Sequence, residues 1–468
     1  MFTIAEIARA TGGEIIGSGT GEVAGVSIDS RTVAAGELFV PLRGERFDGH
    51  DYIGEACDRG VRTFLAEKGW AACNRTPEDA TCIAVADTLR GLGDLASFHR
   101  DRFSLSVVGI TGSNGKTTTK EMLAAIMAQT GPGLKTAGNL NNLIGLPQML
   151  LRLTGEERWA VLEMGMSEPG EIDRLAEIAR PDVGVITNAF PAHLESMGSV
   201  EAVARAKGEL FLRLPAGGCA VYNADDPLIA SAPSPAGVSR LGFGLHDAEI
   251  SAAGITSEGR RGVSFFLRLP SGSFPITLRA FGLHNVANAL AAAAAATALG
   301  IGGEIIRAGL EGFTPVDKRF NLEELDGVVL IDDSYNANPA SMEAALTTLA
   351  DIAEEGRAMA VLGDMLELGP GTTEAHRALG KQASSCVTRL YLLGEMASVT
   401  ADGALKGGLS ASSVIVAGSH EEIVADLTGR LEKGDCILVK GSRGMRMEVV
   451  AEGIRRACAK AHEKGEVT

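Results

Sequence analysis

Residues 104–119 read SLSVVGITGSNGKTTT. Leu105, Val107, Val108 and Ile110 form a short apolar, β-rich run, which predicts a buried strand. Gly109, Gly112 and Gly115 break that run, and Lys116 with Thr117, Thr118 and Thr119 opens a helical stretch, KEMLAAIMAQ. Strand, glycine-rich turn and helix N-terminus together make a phosphate cradle. Backbone N–H groups converge on the turn, the helix dipole adds positive charge, Lys116 reaches the outer phosphates, and the Thr117 hydroxyl can hold Mg²⁺. The generic phosphate loop places four residues between its first glycine and the Gly-Lys pair. Here Gly112 leaves two and Gly109 leaves five. A tight turn whose lysine and threonine merely cap a helix is the bland alternative, and the flanking strand and helix argue against it. The stretch predicts binding of a nucleoside triphosphate.

Beyond this stretch, the 468 residues suggest about three domains. A hydrophobic share of 45% against 22% charged residues supplies ample core, and a net charge of −16 argues against nucleic acid as a partner. The seven cysteines are scattered without a CxxC pair, which predicts a reduced, cytoplasmic protein without a zinc site. MFTIAEIARATGG reads as a short amphipathic helix rather than a signal peptide. The run ALAAAAAATALG is too short to span a bilayer and is expected to be a tightly packed helix.

Residues 1–103 are expected to form a small α/β domain, with VSI and ELFVPL as strands and polar clusters around Ser30-Arg31 and Arg46–His50 at their ends. Those clusters are either a ligand site or ordinary turn chemistry. Residues 104–313 alternate strands (WAVLEMG, DVGVITN, GGCAVYNADD) with helices, which implies a mainly parallel sheet covered on both faces. EISAAGI, VSFFLRL and SFPITLR are expected to add antiparallel strands to it. The loop EGFTPVDKRF leads into a third domain, 314–468, whose strands VVLIDDS, AMAVLGD, RLYLLG, SVIVAG and CILVKG predict a second open α/β sheet.

Ligands of open α/β sheets gather at the C-terminal ends of the strands, so polar residues there are the site candidates. Glu163 ends WAVLEMG and suits a Mg²⁺ shared with the triphosphate; the alternative is a solvated loop carboxylate. His193, just past DVGVITN and near Thr187, Asn188 and Glu195, is either functional or a structural histidine. Helical spacing in SVEAVARAKGELFLRL puts Lys207 on one stripe with Val200, Val203, Leu210, Phe211 and Leu214, and only Leu212 breaks the scheme. A lysine on a buried face must be paired, neutralised or chemically modified, unless it snorkels to the surface. His284, Asn285 and Asn288 fall at a helix start, as base or ribose contacts or with Asn285 as a cap. Arg319 could reach a phosphate, and Asp332 and Asp333 could hold a ribose or a metal's water shell, with capping as competitor. LGDMLELG and VKGSRGMRM are expected to face the same cleft. With no serine elbow, Cys–His pair or paired carboxylates, the chemistry that remains is phosphoryl transfer to a substrate from one flanking domain, completed by a substrate from the other.

TGSNGKTT, AGNLNNLIGLPQMLL, LEMGMSEPGEI, TNAFPAHLESMGS, AKGELF, NADD, HNVANALAAA, DDSYNANPASM, LGDMLELG and LVKGSRGMRME occur in this order. Together they closely resemble the Mur ligase family of peptidoglycan synthesis, over nearly the whole chain, and the short phosphate loop is that family's own form. The resemblance implies three domains: a small α/β domain for the UDP moiety, a central P-loop ATPase domain and a C-terminal Rossmann-like domain. It also implies ATP-dependent amide formation through an acyl phosphate. The last three clusters resemble the member that adds D-alanyl-D-alanine to a UDP-muramoyl tripeptide.

By motif, the resemblance implies that Gly112, Ser113, Asn114, Gly115, Lys116, Thr117 and Thr118 hold ATP, with Asn288, Arg319 and Asp333 as further nucleotide contacts. Thr117 and Glu163 match ligands of a first Mg²⁺, and His193 a ligand near a second. Lys207 matches a lysine that several members carry as a carbamate. Lys116, Lys207 and His193 thereby become the catalytic candidates. Ser30, Arg31, Asn139, Asn141, Asn336 and Asn338 are the implied substrate contacts. Asp317-Lys318-Arg319 stands where many members have Gly-Arg, which leaves open the basic residue that meets the phosphate. The implied enzyme is a cytoplasmic monomer taking small molecules, with no nucleic acid and no membrane span. Sister ligases for glutamate or a diamino acid and folylpolyglutamate synthetases are the alternatives within enzymes. The diamino-acid ligase's DNPR signature is absent here, LGDMLELG standing in its place. A nucleotide-driven binding switch is the alternative outside them.

Overall fold

The computed structural model describes residues 1–191, 197–315, 317–354 and 356–464, with side chains to residue 459. His193 and Glu195 therefore lie outside the described residues, as does Val316 of the expected linker. Three large sheets organise the chain.

The central sheet has nine strands in the spatial order Gly272–Leu278, Val263–Leu269, Ile250–Ser257, Ser239–Gly244, Cys219–Asn223, Val183–Ile186, Ser106–Thr111, Trp159–Glu163, Gly133–Lys135. The first two pairings are antiparallel and the rest parallel, as the sequence patterns predict. Along Ser106–Thr111 the side chains alternate between two cores. Val108 and Ile110 pack with helices Lys116–Met127 and Leu283–Ala298 on one face. Val107 on the other face packs with helices Gly145–Leu150, Glu171–Ala179 and Val200–Leu212. Each aliphatic side chain so buried contributes roughly 1.5–3 kcal/mol. The alanine run is buried throughout, Ala291 to Ala296 at 0% exposure, because methyl side chains let that helix lie close against the sheet. Among the described residues no helix is long and apolar enough to cross a membrane.

After Trp159–Glu163 the chain passes to the opposite flank of Ser106–Thr111 to form Val183–Ile186. Connections leaving a strand's C-terminal end in opposite directions open a crevice there, and the glycine-rich loop sits in it.

The N-terminal sheet has the order Glu14–Ile16, Thr81–Val85, Thr63–Glu67, Glu37–Phe39, Gly25–Ser27. The amphipathic helix Ile4–Thr11 begins with a capping box between Thr3 and Glu6. The third sheet has the order Asn321–Leu325, Val328–Asp333, Cys436–Lys440, Ala358–Gly363, Arg389–Leu393, Val414–Ala417. It is parallel except for the first strand, an antiparallel edge that the sequence patterns did not reveal.

Candidate active site

The loop enters helix Lys116–Met127 through two glycines that tolerate no side chain. Gly112 has φ +152° and Gly115 φ +82°; a Cβ would lie 1.8 Å from Thr187 Oγ1 at the first and 2.1 Å from Asn288 Oδ1 at the second. Bare backbone is thus required where the loop packs against Thr187 and Asn288. The Ser113 amide donates to Asn188 O (3.0 Å) and the Asn114 amide to Asn188 Oδ1 (2.8 Å), which pins the loop to the neighbouring strand end. The amides of Lys116, Thr117 and Thr118 open the helix and have no acceptor within it, and the Thr119 amide is the first to find one, at Gly115 O (2.8 Å). Lys116 curls over the loop, its Nζ donating to Gly112 O (2.7 Å) and Ser113 O (3.3 Å). Burial lowers its pKa; Glu163 opposes that shift and Arg319 reinforces it.

Beside it, Thr117 Oγ1 donates to Glu163 Oε2 at 2.8 Å, and Asn141 Nδ2 donates to Glu163 Oε1 at 2.8 Å. The Glu163 amide in turn donates to Thr136 Oγ1 (2.9 Å). Glu163 is only 2% exposed, so it is no solvated loop carboxylate. A buried carboxylate and a hydroxyl at a helix N-terminus are hard oxygen donors, the set that suits Mg²⁺ completing its shell with water and phosphate. Among the described residues no three His, Cys, Asp or Glu side chains cluster as a metal cage.

Helix Val200–Leu212 keeps the stripe that its sequence predicts. Val203, Lys207, Leu210 and Phe211 are buried together, Glu201 and Arg205 are exposed, and the stripe-breaking Leu212 faces solvent. Lys207 itself is 3% exposed. Burial, with Lys116 adding a second positive charge, drives the Lys207 pKa well below the ordinary amine range. No hydrogen bond or ion pair joins its side chain to another described residue.

The opposite wall of the cleft comes from the third domain. Lys440 Nζ donates to Asp333 Oδ2 (2.6 Å) and Asn336 O (3.0 Å), and Asp333 Oδ1 accepts from the Phe320 amide (3.1 Å). Burial raises the Asp333 pKa, with Lys440 pulling the other way. The Arg319 guanidinium lies over the Tyr335 ring, 4.1 Å from its centroid, whereas Lys318 turns to Glu448 (3.7 Å). Of the two basic residues in the departing Asp317-Lys318-Arg319 segment, Arg319 is the one lining the cleft. Asn114 Nδ2 donates to Asn338 Oδ1 (3.1 Å) and Asn338 Nδ2 to Asn114 Oδ1 (2.6 Å), joining the two walls. Between them lies a cavity of about 770 Å³.

His284, Asn285 and Asn288 also line this cavity. Asn285 does not cap its helix. Gly282 holds the cap position, and Asn285 Nδ2 donates instead to Phe281 O (2.9 Å) while its Oδ1 accepts from Asn288 Nδ2 (3.0 Å). Burial, with Lys440's charge adding to it, brings the His284 pKa down to about 4.

Three family descriptions match successive stretches of the chain: "Mur ligase family, catalytic domain" over residues 22–100, "Mur ligase middle domain" over 110–296 and "Mur ligase, glutamate ligase domain" over 318–443. The UDP-N-acetylmuramoyl-tripeptide–D-alanyl-D-alanine ligase of Bacillus subtilis is 37% identical over 433 residues, 92% of this chain and 93% of its own. The chain belongs to the Mur ligase family. Among solved structures, MurF from Acinetobacter baumannii superimposes with a TM-score of 0.89 at 32% identity, covering 97% of this chain and 99% of that one. The MurF ligase of Thermotoga maritima in complex with ADP gives 0.83 at 31% identity, covering 93% and 98%.

Not every residue expected of a Mur ligase site reaches this cleft. Ser30 is buried in the N-terminal domain, and the exposed Arg31 forms an ion pair with Asp29 (2.7 Å). Neither lines the cavity, nor does Lys207. Asn139 is exposed outside it, whereas Asn141, Asn336 and Asn338 line it. Asp332, fully buried, accepts from Ser334 and Arg455, because strand alternation turns it away from the face that Asp333 presents. Of the two third-domain loops expected to face the cleft, VKGSRGMRM contributes Lys440 and LGDMLELG contributes no lining residue. Asp364 of the latter accepts from the Met396 amide (3.1 Å) instead. Lys440 and Tyr335 fall within the quoted stretches VKGSRGMRM and DDSYNANPASM without being singled out there, and Thr136 was missed. Lys440 was within reach, since it ends a strand just as Glu163 does.

Proposed function

We propose that this Mur ligase joins D-alanyl-D-alanine to a UDP-N-acetylmuramoyl tripeptide with consumption of ATP, in cytoplasmic peptidoglycan precursor synthesis. The observation that carries the reading is the Thr117–Glu163 pair beneath a bare glycine loop, in a cleft whose far wall belongs to another domain. The tripeptide's terminal carboxylate attacks the γ-phosphorus, the bond to ADP breaks, and an acyl phosphate forms. The amine of the D-dipeptide then attacks the acyl carbon; the C–N bond forms, a proton leaves the nitrogen, and phosphate departs. A carboxylate is a poor acylating agent, and phosphorylation turns its oxygen into a leaving group.

The chain's part is positioning and charge neutralisation. In this reading Gly112 to Thr118 cradle the phosphates, and Lys116 and Arg319 draw negative charge from them. Asn288 and Asp333 contact the nucleoside. Thr117 and Glu163 hold one Mg²⁺, with His193 and a carbamylated Lys207 as ligands near a second. Mg²⁺, when bound, supplies Lewis-acid neutralisation of the charge that moves between the oxygens. The buried, deprotonation-prone Lys207 supports the carbamate, since only a neutral amine adds CO₂. Ser30 and Arg31 serve the UDP moiety, and Asn139, Asn141 and Asn336 contact the substrates. The domains divide as 1–103, 104–313 and 314–468, in a monomer that takes small molecules and no nucleic acid.

The test incubates the protein with ATP, Mg²⁺, UDP-muramoyl tripeptides and D-alanyl-D-alanine, and reads products by mass. The expected product is the pentapeptide with one ADP per bond. ADP release that ignores the added amine would point to a nucleotide-driven switch and overturn the ligase reading.

A further inference from the structure

Asn338 precedes helix Pro339–Ala353 and caps it: its Oδ1 accepts from the Ser341 amide (2.9 Å), and its own amide donates to Ser341 Oγ (3.0 Å). That cap fixes which way the Asn338 carboxamide faces, because the oxygen must point at the helix. Its nitrogen is then directed to Asn114 Oδ1 (2.6 Å), while its oxygen takes a second hydrogen bond from Asn114 Nδ2 (3.1 Å). With two donors the oxygen is saturated.

Asn114 is equally constrained. Its amide donates to Asn188 Oδ1 (2.8 Å), and its carbonyl accepts from Thr187 Oγ1 (2.6 Å) and Asn188 Nδ2 (3.2 Å). The phosphate loop thus holds the Asn114 main chain in place and presents its carboxamide to the third domain, where a helix cap reads it. The two residues are 224 positions apart in the chain.

We infer that Asn338 is a positioning residue: through its paired hydrogen bonds with Asn114 it seats the third domain on the phosphate loop and so sets the distance between the two reacting substrates. The resemblance implies a substrate contact for this residue, but its oxygen is already committed to the cap and the clasp. The inference rests on the ligase reading for its kinetic readout alone.

The experiment compares wild type with Asn338→Ser, Asn114→Ala and the double variant. Serine is a good cap but too short to reach Asn114, so it separates the two roles of Asn338. The expected result for each single variant is an unchanged melting temperature and a kcat/KM for the D-dipeptide lowered about tenfold, as for the loss of two amide hydrogen bonds. The double variant should be no worse than either single one. Wild-type kinetics in Asn338→Ser would overturn the inference. So would single effects that multiply in the double variant, because a direct substrate contact by Asn338 would persist after Asn114 is cut. If serine lowers the melting temperature, Asn114→Ala, which leaves the cap untouched, decides by the same kinetic criterion. If wild type ligates no substrate, the ligase reading fails, and small-angle scattering decides the inference separately. Both single variants should then show a larger radius of gyration than wild type, and an unchanged radius in both overturns it.

Discussion

Thr117 Oγ1 donates to Glu163 Oε2 across 2.8 Å, with both residues buried at the C-terminal edge of the central sheet. In this arrangement a buried carboxylate lies beside the glycine loop, its two oxygens accepting from Thr117 and Asn141 and its charge facing Lys116.

Replacing that carboxylate by an amide tests the charge alone. Glu163→Gln keeps the size and the acceptor oxygen, so the fold is expected to persist with an unchanged melting temperature. Turnover should fall roughly a hundredfold, the scale for removing one preorganised electrostatic group, and the Mg²⁺ concentration for half-maximal rate should rise. Steady-state kinetics over a Mg²⁺ titration checks this, and a wild-type Mg²⁺ dependence would remove Glu163 from the metal site.

At Gly115 the constraint is steric. Its φ of +82°, and the 2.1 Å that would separate an added methyl from Asn288 Oδ1, leave no room for alanine. Gly115→Ala should weaken ATP binding at least tenfold by calorimetry, because Asn288 or the loop must move about an ångström or more. Gly54→Ala is the control and should bind ATP as wild type does, since a methyl there meets nothing within 4 Å.

For Lys207 the expected outcome is chemical. Lys207→Ala should lose activity and regain part of it with added acetate, while Lys207→Arg stays inactive. Labelled bicarbonate should give a carbamate carbon resonance in wild type that both variants lack. Full activity in Lys207→Arg would make the residue a simple cation and end the carbamate reading.

The His284 pKa, about 4 in the fold against 6.5 when unperturbed, links stability to pH. Between those values the unfolded chain binds a proton that the native protein refuses, so stability falls as pH drops from 6.5 towards 4. His284→Asn should flatten this part of the stability profile, by up to about one proton of linkage, as read from denaturant unfolding across that range. An identical slope in the variant would show that His284 titrates normally.

Much of the fold was legible because its signals are local. The strand Ser106–Thr111, the loop and the helix at Lys116 follow from an apolar run, three glycines and a helix start that lie close together in the chain. The buried stripe carrying Lys207 follows from helical periodicity, and the packed alanine helix from its composition. Strand alternation could also have separated Asp332 from Asp333, but only once the faces of the sheet were known. The edge strand Asn321–Leu325 escaped notice, since NLEEL carries polar residues that no burial pattern marks.

The three α/β units, the nucleotide loop and the charged residues at strand ends could all be read from the chain alone, because periodicity and turn chemistry are written in neighbouring residues. That Asn141 rather than Asn139 meets Glu163, that Lys440 grips Asp333 and that Asn114 clasps Asn338 emerged only with the folded molecule. Those contacts depend on the order of strands in the sheets and on how one domain lies against another. Such relations join residues up to 224 positions apart, and no local pattern encodes them.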